Sequence, residues 1–93
     1  MITIHKYLVM PGHFTIEMPV RARVLTVQTQ GSDAFLWAIV NDAHLKEKRA
    51  FVSIGTGHMI PDDAAVHVHP DNYVGTFQFP ETRLVFHLFE VRA

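Results

Sequence analysis

His67-Val68-His69 sets two imidazoles one residue apart, in a chain that holds seven histidines. On a strand, residues i and i+2 point to the same face, so such a pair is the beginning of a divalent-metal site. A complete site needs more ligands. Asp71 is the nearest acid, and His58 or His87 would have to bring a third nitrogen from elsewhere in the chain. Pro70 follows the pair directly and interrupts any strand that carries it. The competing reading is a polar loop that happens to hold two histidines. Apart from a divalent metal at His67 and His69, no cofactor is expected.

Gly55-Thr56-Gly57-His58 is the second constellation. Backbone flanked by glycines can present successive N–H groups to an anion. A phosphate-binding loop also needs a lysine and a following helix, and here Met59-Ile60-Pro61 follows instead. The stretch reads as a strand end that bends, with Gly57-His58 as the part free to make contacts. His87 lies between Phe86 and Leu88 in an apolar run, where a buried imidazole must find hydrogen-bond partners. Ser32 and Ser53 are the only serines, and neither stands in a nucleophile elbow. Asp62-Asp63 form the only adjacent acid pair, in a turn after Pro61. No acid, base and nucleophile set is assembled, so no catalytic residue is assigned and a non-enzymatic role is favoured. The binding candidates are Gly55, Thr56, Gly57, His58, Trp37, Gln78 and His87.

These residues must be held by short strands. Phe14, Ile16 and Met18 alternate with Thr15 and Glu17. Leu25, Val27 and Thr29 alternate with Thr26, Gln28 and Gln30, and Gly31-Ser32 ends that segment in a hairpin turn. Residues 34–40, AFLWAIV, are apolar on both faces, which implies a strand covered on both sides or one met by a partner. Strands are also expected at 3–9, 50–55, 73–79 and 83–91. Residues 41–49 read as a polar loop and 56–71 as one long irregular connection. The fold expected is all-β, a small antiparallel sandwich or barrel of about seven short strands in a single domain, residues 1–93. Ile54-Gly55-Thr56 and Val74-Gly75-Thr76 repeat the order apolar-Gly-Thr. A strand glycine invites an aromatic cover, for which Trp37, Phe51 and Phe77 are the candidates.

Composition narrows the function classes. With 48% hydrophobic and 18% charged residues the chain is globular, and a net charge of −1 without a basic block argues against nucleic acid. It has no cysteine, hence no disulfide framework or thiolate zinc site. No apolar run is long enough to span a membrane, and the first residues do not read as a signal peptide. A chain this short has a small core and gains from self-association, so a homo-oligomer is expected.

Ile4-His5-Lys6-Tyr7, Thr15-Ile16-Glu17-Met18-Pro19, Val24-Leu25-Thr26-Val27-Gln28, Leu36-Trp37-Ala38-Ile39-Val40, Gly55-Thr56-Gly57-His58, Val74-Gly75-Thr76-Phe77-Gln78 and Leu84-Val85-Phe86-His87-Leu88-Phe89-Glu90 stand in order along nearly the whole chain. In this order they resemble a family of short tailed-phage and prophage proteins, a domain of unknown function. The resemblance implies a phage accessory protein in the cytoplasm of the infected bacterial host. The action it implies is binding a host protein or a small molecule, including inhibition of bacterial antiviral defence. A virion or assembly component and a histidine-based, cupin-like metal protein are the alternatives.

Overall fold

The computed structural model describes residues 1–92. Seven strands follow one another: β1 (Ile2–Leu8), β2 (Gly12–Pro19), β3 (Arg23–Gln30), β4 (Asp33–Asn41), β5 (Lys46–Gly55), β6 (Tyr73–Gln78) and β7 (Val85–Val91). Between β5 and β6 lie a one-turn helix α1 (Asp62–Ala65) and a 3-10 turn, Pro70–Asn72. The strands form two antiparallel sheets, β1-β4-β3 and β2-β5-β7-β6. The fold is a sandwich and not a closed barrel. The chain changes sheet three times, entering the second sheet at β2, returning at β3 and leaving again at β5.

Alternation along each strand sends one set of side chains between the sheets. Leu36, Ala38 and Val40 from β4 meet Met18, Phe51 and Leu88 from the second sheet, and all are buried. Phe14 stacks on Phe51 across the β2–β5 pair, ring centroids 5.7 Å apart. Gly31 closes the β3–β4 hairpin with φ 64°, a left-handed conformation that glycine adopts without strain.

One charged pair lies on this inner face. The Arg49 guanidinium binds both carboxylate oxygens of Glu90, Nε to Oε2 at 2.7 Å and Nη2 to Oε1 at 2.9 Å. Its Nη1 donates to the Ala22 carbonyl. The hydrogen bond to Glu90 raises the Arg49 pKa above its ordinary value, against the lowering effect of burial. Arg49 thus ties β5 to β7 and to the turn that precedes β3.

Two departures from the sequence reading have local causes. Residues 46–49 extend β5, although the segment reads as loop, because Lys46, Glu47 and Lys48 pair with Pro19, Met18 and Glu17 on an exposed sheet margin. A bulge between Val24 and Thr26 breaks the β3 alternation. Val27 stays buried while Leu25, expected on its face, is 47% exposed.

The outer faces differ. Val52 points away from the first sheet, yet it is fully buried. The 56–72 connection covers it: Ala64 of α1 is fully buried, and Asp63 Oδ1 lies 3.7 Å from His13 Nε2, beside Val52 in the sheet. Among the described residues nothing covers the first sheet in this way. Its outer face carries Ile4 at 56% and Leu8 at 47% exposure, beside half-buried Phe35, Trp37 and Ile39.

Candidate functional site

The apolar-Gly-Thr echo resolves into one site. Strand β7 runs between β5 and β6, with His87 directly opposite both Ile54 and Thr76. Thr56 follows the end of β5. The two threonines of the echo therefore flank one imidazole. Thr56 Oγ1 lies 2.6 Å from His87 Nε2, and Thr76 Oγ1 lies 3.0 Å from His87 Nδ1. Tyr73 Oη extends the chain to Thr76 Oγ1 at 2.6 Å. A neutral imidazole donates from one nitrogen and accepts at the other, and each hydroxyl rotates to match either tautomer. A hydroxyl beside an imidazole that a second hydroxyl orients has the form of a nucleophile–base pair. Among the described residues no carboxylate bonds to His87, so its partners are hydroxyls alone. The network fastens β6 and the end of β5 to β7, and half-buried His87 is its hub.

The next residues build a hollow at the same strand end. Gly57 takes φ 80°, which folds the chain so that His58 N donates to Gly55 O at 3.0 Å. This turn returns the His58 ring over Gly55, edge-on to Phe86 with centroids 6.4 Å apart. Gly55, Thr56, His58, Arg83, Leu84 and Phe86 line a hollow of about 220 Å³. The cover over Gly55 is thus His58. At Gly75 the nearest side chain is Val27 of β3. None of Trp37, Phe51 and Phe77, the aromatic candidates, makes the closest approach to either glycine.

The other candidates lie elsewhere. Trp37 sits on the bare outer face of the first sheet, edge-on to Phe35 at 6.1 Å. Gln78 ends β6, where its carbonyl accepts a hydrogen bond from Thr29 Oγ1 at 3.1 Å and joins the two sheets along the β3–β6 seam. His67 and His69 are in the connection, not on a strand. His69 Nδ1 accepts from Asp71 N at 3.2 Å and caps the 3-10 turn. Among the described residues no three His, Asp or Glu side chains converge on a point where a metal would bind. Thr76 and Tyr73 lie outside the binding residues expected from the sequence, although the echo points to Thr76.

A family model described as a domain of unknown function, DUF7352, matches residues 1–93. The chain belongs to the DUF7352 family. No curated protein and no solved structure matches it. In this DUF7352 chain the two strand glycines are expected to respond differently to a methyl group. A Cβ at Gly55 would overlap the His58 imidazole, the end of an exposed side chain that is free to swing away. A Cβ at Gly75 would stand 2.8 Å from Val27 Cγ1 and 3.6 Å from its backbone nitrogen. Val27 is buried and stiff at χ1, so it has nowhere to go. Gly75→Ala should destabilise by about 2 kcal/mol and Gly55→Ala by less than about 1 kcal/mol, measured by urea unfolding. Equal losses would mean that the His58 seat is as rigid as the sheet seam.

Proposed function

We propose that this chain is a phage accessory protein without catalytic activity that binds a host protein, such as a component of antiviral defence, in the cytoplasm of the infected bacterium. One observation carries the binding part of this reading: the bare apolar face of the first sheet. Phe35, Trp37 and Ile39 stand half-exposed in a row on β4, with Ile4 and Leu8 exposed beside them on β1. The 56–72 connection covers the equivalent face of the second sheet, and among the described residues nothing covers this one. A contiguous apolar surface of this kind, with an aromatic at its centre, is the usual form of a protein-binding patch. Lys6 reaches over the Phe35 ring, its Nζ 4.5 Å from the centroid, and adds a cation to the rim. The phage context rests on the ordered landmarks along the chain.

The test is affinity purification from infected cells with mass spectrometry, comparing the native chain with Trp37→Ala. A reproducible host partner should bind the variant about 30-fold more weakly, as expected for loss of a central aromatic anchor. A thermal melt of the variant controls for folding. Unchanged capture by Trp37→Ala would remove this face from the interaction. A co-purified small molecule without a protein partner would favour sequestration instead.

A further inference from the structure

We propose that two copies of this chain pair antiparallel through the free edge of β1, joining their three-stranded sheets into one six-stranded sheet across a two-fold axis at His5. The backbone pattern supports this. Val9 N donates to Ala34 O and Asp42 N donates to Met1 O, so the odd-numbered residues of β1 form the hydrogen-bonded pairs with β4. Ile2, Ile4, Lys6 and Leu8 must then turn their N–H and C=O groups outward, away from β4. Among the described residues those groups have no strand beside them, because β1 ends its sheet.

The other edges are protected in ways that β1 is not. Strand β6 carries a bulge after Tyr73 and runs into Pro80. Strand β3 is bulged at Leu25 and lies against β6. Strand β2 begins at Gly12 and ends at Pro19. Strand β1 has no proline, and its register with β4 is unbroken from Ile2 to Leu8. An edge lysine normally discourages pairing. Here Lys6 is laid back over its own sheet, on the Phe35 ring and with Nζ bonded to Gln30 Oε1 at 2.7 Å.

The sequence of β1 also selects the register. Only pairing about His5 puts all four outward residues in hydrogen-bonded pairs, Ile2 with Leu8 of the second copy and Ile4 with Lys6. His5 then faces His5 across the axis as a non-hydrogen-bonded pair, with Cα atoms about 4.5 Å apart. A shift by two residues either way leaves one of the four unpaired and sets Ile4 against Ile4 or Lys6 against Lys6. The pairing needs no other protein, so it stands or falls apart from the host-binding reading.

The chain has no cysteine, which makes the register directly testable. His5→Cys should form a disulfide-linked dimer under mild oxidation, because the Cα spacing suits a disulfide. Thr3→Cys should cross-link about tenfold more slowly or less, because its counterpart would lie about 13 Å away along the strand. Light scattering of the native chain should give a dimer. Ile4→Pro removes an outward N–H that β4 does not use, so it should give a folded monomer. Equal cross-linking of the two cysteine variants, or a native chain that stays monomeric at high concentration, would overturn the pairing. If Ile4→Pro does not fold, the cysteine comparison decides alone.

Discussion

Glu90→Ala should lower stability by about 3 kcal/mol or more in urea unfolding, the cost of stranding a buried charge. The Arg49 and Glu90 side chains are only 18% and 9% exposed, so solvent screens the pair little. Without the carboxylate, Arg49 keeps one partner, the Ala22 carbonyl, for a guanidinium that water cannot reach freely. Replacing the pair together is a different matter. Arg49→Met with Glu90→Leu should recover most of the loss, because desolvation of both ions offsets much of their attraction. A Glu90→Ala variant within about 0.5 kcal/mol of the native chain would show that Arg49 finds solvent or another acid.

Phe51→Ala should cost about 3–5 kcal/mol, the range for deleting a fully buried aromatic. Phe51 has no exposed surface, stacks on Phe14 and lies at the centre of the second sheet's inner face. It is also the strand partner of Glu90. Its removal therefore opens a route for water toward the ion pair as well as a cavity. The two losses should not add: a Phe51→Ala/Glu90→Ala double variant should be more stable than the sum predicts, because a hydrated Arg49 needs its partner less. Phe51→Leu should lose less than Phe51→Ala, since it keeps most of the buried volume. Strict additivity in a thermal or urea cycle would separate the aromatic core from the ion pair.

Alternation made most strands legible. Phe14, Ile16 and Met18 read as one face, and that face is the inner one. In residues 34–40 both faces are apolar, and the sequence left open whether a second layer or a partner met the outer one. Ala34, Leu36, Ala38 and Val40 are buried in the sandwich, while Phe35, Trp37 and Ile39 remain half-exposed. The Leu25 bulge was not legible because it depends on which β4 residues β3 meets. The start of β5 was hidden because its charged residues satisfy a sheet margin and a loop equally well. At the candidate site the echo was visible as a repeat, but its meaning was not. The threonines matter because His87 of β7, 11 residues from Thr76 and 31 from Thr56, stands between them. The cover of Gly55 was missed because His58 is its near neighbour in sequence, and only the left-handed turn at Gly57 brings the ring back.

The threefold change of sheet along the chain sets the order of events in folding. Neither layer is made from one continuous stretch, and β1 and β2 each wait for a partner strand that comes much later in the chain. Such distant pairings demand early loop closure, which slows folding toward the millisecond-to-second range of all-β domains. They also make the process all-or-none. A chain stopped at Asn41 has three strands of one sheet and a lone β2, with nothing to cover the apolar side that awaits β5 and β7. During synthesis it would expose that side until β7 emerged, so the native state should form in one concerted step once that strand is available.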